Sequence, residues 1–242
     1  MTVANRFLAD QNSSDNPTGI SIGHYQGPLG SKYFDWQNQK GNAVAQLEAR
    51  KFSAYIKSTD VVLDFGCGGG QILLSLPCKA RFGVEVNPAA REFARRQGIE
   101  CHDSIAFFPD EFFDVVVSHH ALEHVAFPIE ALTALRNKLK AGGCLVLCVP
   151  IDDWRTQKRY CPDDVNHHLQ TWTPQLLGNT LYEAGFKYEQ ISISILTSAW
   201  HPKFLALHTK VSIRLFDLCC RAFAVWTRRR QLLALARKDT RV

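Results

Sequence analysis

The stretch VLDFGCGGG, residues 62–70, decides how the rest of the chain is read. An apolar, β-branched run ends in an acid, Asp64, and Gly66, Gly68 and Gly70 follow at alternate positions. This pattern is a buried strand turning sharply into a helix, with glycines that permit positive φ and let the backbone approach a ligand. The spacing is G-x-G-x-G, with Gln at position 71, and departs from the G-x-G-x-x-G dinucleotide fingerprint. An acid before the loop is a poor neighbour for a pyrophosphate and a good one for a cationic or zwitterionic ligand. The bland alternative is a tight turn with no ligand.

Outward from this loop, strand-like and helix-like runs alternate. Residues 41–56 have helical periodicity, and 60–65, 81–86, 112–118 and 144–150 read as strands. A short helix at 71–76 is stopped by Pro77. The helix at 88–97 has Pro88 in its first turn and Gly98 at its end, and a third, 128–143, is closed by Gly142 and Gly143. Strands apolar on both faces and alternating with helices predict a parallel sheet covered on both sides, a doubly wound α/β domain. A helix at 173–185 follows, with Thr173 as N-cap and Pro174 at the first position. In the strand 188–196, Ile191, Ile193 and Ile195 are expected inward. Ligands in such sheets bind beyond the carboxyl ends of the strands, so the loops after 65, 86, 101, 118 and 149 should line the site.

Glu85 follows Asp64 by 21 residues and ends a strand, where a carboxylate can accept hydrogen bonds from both hydroxyls of a ribose. Its alternative is a surface acid before the helix that Asn87-Pro88 opens. Asp103 suits either an adenine amino group or solvent. VLDFGCGGG (62–70), FGVEVNP (82–88), FDVVVSHHALEHV (113–125) and LKAGGCLVLCVP (139–150), in this order and spacing, resemble class I S-adenosylmethionine-dependent methyltransferases. More narrowly, they resemble the branch of ubiquinone-biosynthesis-type and surface-polysaccharide-type enzymes.

The likeness spans roughly residues 35–195. It implies a seven-stranded, mostly parallel, Rossmann-like sheet with an N-terminal helical cap and a helical insertion, 197–230, before the last strand, 231–238. The methyltransferase domain is then 31–238, between a flexible arm (1–30) and a tail (239–242). S-adenosylmethionine is the implied cofactor. By position, Gly66, Gly68 and Gly70 would cradle its methionine part, with Asp64 holding the loop or meeting the amino group. Glu85 would bind the ribose, Asp103 and Ser104 would sit at the adenine, and Ser118 and His119 would flank the sulfonium.

The implied activity is methylation, O-directed, of a small-molecule or glycan- or lipid-linked acceptor. A catalytically silent scaffold with this fold and a nicotinamide-dependent oxidoreductase are the alternatives. Intact Asp64, glycine loop and Glu85 argue against the first, and Asp64 with the loop spacing against the second. The strand end at 118 reads SHHA and lacks the Asn-Pro-Pro-Tyr signature, which turns the reading away from nucleic-acid bases and glutamine.

His120-x-x-Glu123-His124 has the spacing of an inverted zinc-peptidase motif. A strand ends at about Ser118 and Pro128 soon follows, leaving too short a helix for a zinc pair, so no metal is expected. The segment 151–174 is where the fold builds its acceptor site. It holds Asp152, Asp153, Arg155, Tyr160, Asp163, Asp164, His167 and His168. His168 is the first candidate for base or acceptor positioning and His119 the second; tethering of the loop is the alternative for His168. Arg155, Lys158 and Arg159 suit a phosphate on the acceptor, or solvent.

Within 203–230, Lys203, Lys210, Arg214, Asp217, Arg221 and Arg228 form one charged stripe on an otherwise apolar helix. Such a helix packs on the domain or a partner, or lies in a membrane interface with its basic end on anionic headgroups. The composition, 46% hydrophobic and 21% charged, is that of a globular chain, and the net charge of +5 is mild. Eight cysteines include no C-x-x-C pair, which favours reduced thiols in a cytoplasmic protein. The first residues lack the pattern of a secretory signal, and no apolar run is long enough to span a bilayer.

Overall fold

Consecutive residues of Val61–Phe65 (β1) face opposite sides of a sheet, and both sides are apolar. Leu63 and Phe65 join a core that includes residues of Pro128–Lys138 and Pro174–Glu183; Val62 joins one formed with Gly41–Ser53, Gln71–Leu74 and Pro88–Arg96. The computed structural model describes residues 41–240, apart from 154, 156, 157, 162, 163, 165 and 199, together with 25, 27, 30–32 and 34.

In chain order the elements are α1 (Gly41–Ser53), β1, α2 (Gln71–Leu74), β2 (Ala80–Val84), α3 (Pro88–Arg96), β3 (Glu100–His102) and β4 (Phe113–His119). Then come α4 (Pro128–Lys138), β5 (Leu139–Ile151), α5 (Pro174–Glu183), β6 (Ile191–Thr197), α6 (Pro202–Leu205), α7 (Ile213–Trp226) and β7 (Arg230–Arg237). The seven strands lie in the order β3-β2-β1-β4-β5-β7-β6. β1 pairs in parallel with both β2 and β4, β4 with β5, and only β7 runs antiparallel to its neighbours. The chain moves from β1 outward to β3, then returns to place β4 on the other side of β1. That reversal opens a crevice at the carboxyl ends of β1 and β4.

Local chemistry sets the helix starts. Asn87 Oδ1 accepts from the Ala89 and Ala90 amides and Pro88 opens α3. Thr173 Oγ1 accepts from Leu176 N before Pro174 of α5. On α1, Val44, Glu48 and Phe52 repeat at helical spacing and are all buried, so an acid stands in the apolar stripe.

Three expectations are corrected. The helix at 128–143 ends at Lys138, because buried Leu139 already pairs with Phe113 and residues 140–143 continue as bulged strand. There Gly142, at φ 74, donates its amide to Lys238 O, while Lys238 N donates to Gly143 O. Ile191 and Ile193 pack on the core, but Ile195 is 53% exposed, since the helical cover of this edge strand stops short of it. The single stripe over 203–230 is broken: α6 ends at Leu205, and Ser212 caps a new helix at Ile213.

The expected insertion before the final antiparallel strand is present as α6 and α7. Phe216 and Cys220 of α7 bury against Leu47 of α1. Arg50 donates to both carboxylate oxygens of Asp217, at 2.9 and 2.6 Å. This pair is half exposed and contributes little beside the burial of Phe216, worth about 2–3 kcal/mol. The opposite face of α7 leaves Leu218, Val225 and Trp226 exposed. The expected arm, 1–30, lies outside the described residues except for 25, 27 and 30, as do Asp163 and residues 241–242. The helical cap is formed by α1, with helical backbone also at 25, 27, 30–32 and 34.

At Gly70, φ is +82° and an added Cβ would stand 2.2 Å from Ile99 Cδ1. Gly70→Ala should therefore destabilise the domain by more than about 1 kcal/mol in urea unfolding. An unchanged midpoint would contradict this packing of the loop.

Candidate active site at the β1–β4 crevice

A cavity of about 540 Å³ opens at this crevice. One wall is the loop after β1. Gly66 and Cys67 donate their amides to Val84 O at 2.8 and 3.1 Å, tying the loop to β2. Gly66 has φ +78°, and a Cβ there would stand 2.4 Å from that of Ala121. Gly68 N and Asn87 N each donate to one oxygen of Glu85, both at 2.8 Å. Each oxygen keeps a further acceptor site, as a ribose ligand requires. Burial raises the Glu85 pKa, and the Asn87 and Gly68 amides partly offset it.

Asp64 is buried, and its Oδ1 has no hydrogen-bond partner among the described residues. Burial first, and then the Glu85 charge, push its pKa up to about 7. An ammonium group beside it would offset both effects. The glycine cradle, the two-sided Glu85 carboxylate and this unmet acid fit S-adenosylmethionine, which carries an amino acid group, a ribose and a cationic sulfur.

The other expected cofactor residues are placed differently. Ser118 is buried, and its hydroxyl donates to Phe65 O at 2.8 Å, so it braces the end of β1 and does not face the cavity. Asp103 is largely exposed, 3.7 Å from Arg91 Nη2. Ser104 Oγ accepts from Ala106 N to cap a 3-10 turn. Neither lines the cavity, and Asp64, Gly70 and Glu85 stand behind its lining, which the loop after β1 enters through Gly66, Cys67, Gly68 and Gly69.

His119 does line it, within a polar network the sequence reading missed. Glu48 Oε2 lies 2.9 Å from His119 Nε2 and accepts from Lys51, and Glu48 Oε1 accepts from Trp200 Nε1 at 2.7 Å. Lys51 also donates to Gln231 Oε1 at 2.9 Å and stands 3.3 Å from His119 Nε2. Burial alone would raise the Glu48 pKa, but the charges and hydrogen bonds of His119 and Lys51 hold it well below the ordinary value. His120 stacks on His119 with centroids 4.3 Å apart and takes φ +54°, a strained conformation for a histidine. The legible signal was Glu48 itself, a charge within an apolar helix stripe. Lys51, Trp200 and Gln231 gave none, because distant strands and the insertion bring them in.

At the far end stands His168, whose Nδ1 lies 2.8 Å from Asp152 Oδ2. Burial lowers its pKa, but the Asp152 hydrogen bond and charge outweigh that and raise it above the ordinary histidine value. The loop is held by the Leu169 and Gln170 amides, which donate to Glu123 O at 2.8 and 3.0 Å. Glu123 and His124 occupy a single 3-10 turn, Leu122–His124, so the H-x-x-E-H spacing does not form a helix-face pair. Tyr25, in the expected arm, is buried with its hydroxyl 2.7 Å from His124 Nδ1. Tyr160, Lys158 and Arg159 are exposed, and Arg155 pairs with Asp153 at 2.7 Å.

This fold and site define a doubly wound domain with a glycine loop in one wall of a cavity and histidines in the others. A family model described as a methyltransferase domain matches residues 37–191, and the chain belongs to that family. It is 41% identical over 113 residues to a ubiquinone biosynthesis O-methyltransferase of Ruegeria sp., covering 41% of this chain and 43% of that protein. To the protein of the same name in Roseobacter denitrificans it is 36% identical over 129 residues, covering 47% and 50%. The chain thus spans half or less of the length of these relatives. The structure of a SAM dependent methyltransferase from Archaeoglobus fulgidus superposes with a TM-score of 0.61 at 19% identity, covering 85% of this chain and all of that one, which shows the shared fold.

Glu123 supplies a pH-dependent stability prediction. Burial raises its pKa to about 8, so the folded state holds a proton the unfolded chain has lost, and stability falls as pH rises from about 4.5 to 8. Glu123→Gln should gain stability over the wild type as pH rises, on the order of a few kcal/mol by pH 8. A pH-independent difference in thermal midpoint would contradict the shift.

Proposed function

We propose that the protein is an S-adenosylmethionine-dependent O-methyltransferase acting on the hydroxyl of a small-molecule acceptor. The observation that carries this reading is one cavity with the glycine cradle in one wall and the Asp152-held His168 at the other end. The names of the Ruegeria and Roseobacter relatives support the O-directed choice. When bound, the cofactor supplies an electrophilic methyl group on a sulfonium.

The chain's own work is alignment and proton control. Glu85 and the loop after β1 would hold the nucleoside and the amino acid end of the cofactor. Asp152 accepts the Nδ1 proton of His168 and so sets Nε2 as the lone-pair nitrogen when the ring is neutral. Only that neutral form offers a lone pair to the acceptor end. The Glu48–Lys51–His119 network fixes the near wall and keeps the charges there paired.

A lipid-linked acceptor is the finer form of this reading. The exposed Leu218, Val225 and Trp226 of α7, beside Arg214 and Arg221, suit contact with an anionic bilayer surface. No helix among the described residues is long and apolar enough to cross a membrane. The full chain should float with anionic vesicles, and Trp226→Glu should weaken flotation several-fold. Equal recovery of both proteins in the vesicle fraction would reject this contact.

Methyl-labelled cofactor, offered with a panel of hydroxylated aromatics, glycans and amines, tests the main reading. Label should pass to a hydroxyl acceptor, and transfer to amines alone would contradict it. The rate should rise with pH through a value above the ordinary histidine pKa, as His168 loses its proton. Asp152→Asn removes the cause of that elevation and should move the rising limb to lower pH. An unmoved limb would exclude the His168–Asp152 pair as its source.

A further inference from the structure

Three consecutive arginines, Arg228, Arg229 and Arg230, stand where the insertion returns to the sheet, and nothing in the site described above uses them. Their backbone is fixed on both sides. α7 closes with two hydrogen bonds, from Arg229 N to Ala224 O at 2.9 Å and from Arg228 N to Val225 O at 3.2 Å. This paired closure puts position 228 in the left-handed region, where glycine is the usual occupant. Arg228 takes it, at φ 56°. Glycine makes the same turn without strain, so what arginine adds here is its guanidinium. Arg230 then opens β7, paired with Ile151 at the end of β5 on one side and with Thr197 of β6 on the other.

The three side chains divide between two cavities. Arg229 lines the main one, together with Pro150, His168 and Gln231. Arg228 and Arg230 line a second, of about 470 Å³, with Ile151, Asp152, Asp153 and Arg155. The two share a wall, because chain neighbours line its opposite sides: Pro150 and Ile151 at the end of β5, Arg229 and Arg230 at the start of β7. Asp152, in the second cavity, holds His168, in the first, through the 2.8 Å contact to Nδ1. The second cavity therefore adjoins the acceptor end.

Its charges do not cancel. Asp152 is engaged by His168, and Asp153 by Arg155, whose Nε donates to it at 2.7 Å. The hydrogen bonds and charge of Arg155, with a smaller contribution from the Arg228 charge, hold the Asp153 carboxyl below its ordinary value. Among the described residues, Arg228, Arg229 and Arg230 make no ion pair. A guanidinium presents two parallel donors to the two oxygens of a carboxylate or a phosphate, and three of them around one wall select for such a group. Arg214 and Arg221, on the exposed side of α7, line neither cavity.

We infer that Arg228, Arg229 and Arg230 hold an oxyanion, carboxylate or phosphate, that the acceptor carries away from the hydroxyl to be methylated. This names the substrate class of the proposed methyl transfer and rests on that reading. An acceptor whose hydroxyl lies at His168 extends past Arg229 and across the shared wall, where its anionic group meets Arg228 and Arg230. Anchoring the far end restricts the orientations open to the hydroxyl, so the arginines act on binding and alignment and take no part in the proton transfer.

The test reads binding and not turnover. Full-length protein loaded with S-adenosylhomocysteine is titrated calorimetrically with 3,4-dihydroxyphenylacetate and with its neutral methyl ester. The acid should bind about tenfold more tightly than the ester. Arg228→Gly, which keeps the turn, and Arg230→Ala should each cut this ratio several-fold. The double variant should bring it close to unity, with the affinities for the ester and for S-adenosylhomocysteine unchanged. Flotation of the same variants with phosphatidylglycerol vesicles separates an acceptor's own anion from a lipid headgroup, and it should not change. Failure of the acid to bind, equal binding of acid and ester, or a ratio kept by the double variant would each overturn the site, as would lost flotation with the ratio kept. The same titrations without S-adenosylhomocysteine keep the site testable should the cofactor reading fail. If label passes to neutral hydroxyl acceptors while the acid gains nothing, the methyltransferase reading stands and only the anion site falls.

Discussion

The Glu85 carboxylate, shared between Gly68 N and Asn87 N, is the interaction on which the site depends. One side chain fixes the turn after β1 and the start of α3 relative to each other. Neutral hydrogen bonds contribute about 1 kcal/mol net, and those to a charged acceptor about twice that. The larger effect is geometric. With the loop pinned to Glu85 and to Val84 O, its backbone is formed before any ligand arrives.

Across the crevice, charge is managed by pairing. Glu48 gathers Lys51, His119 and Trp200 from α1, β4 and the insertion, and Gln231 brings β7 into the same network. Removing one partner of such a buried set typically costs about 3–5 kcal/mol, because a charge is left unmet. The network therefore couples docking of the insertion to the wall of the cavity. Asp64 and Glu123 are the exceptions, buried acids with raised pKa values and unmet oxygens, one near the end of β1 and one in the turn after β4. Perturbed groups at a cleft are the physical mark of a functional site.

The sheet was legible because parallel strands buried on both faces write themselves as mostly apolar, β-branched runs, as in Val61–Phe65 and Phe113–His119. The end of α4 was not, since Gly142 and Gly143 signal a helix stop and a strand bulge equally well. Gly66, Gly68, His119 and His168, which line the cavity, and Glu85, which anchors its loop, were named from local pattern and family resemblance together. Ser118 was misread because a strand's alternation gives its face but not the carbonyl its hydroxyl meets. Lys51, Trp200 and Gln231 were invisible for a related reason. Their role exists only through contacts such as Lys51–Gln231, 180 residues apart in sequence. The H-x-x-E-H spacing was rightly refused as a helical motif, yet the turn that breaks it sets Glu123 and His124 against His168.

The most direct test of the account is a crystal structure with S-adenosylhomocysteine bound. The ribose hydroxyls should lie within hydrogen-bond distance of Glu85, the amino group beside the loop that Asp64 underlies, and the sulfur should face His119 and His168. A nucleoside bound elsewhere, with Glu85 still contacting only Gly68 and Asn87, would contradict it.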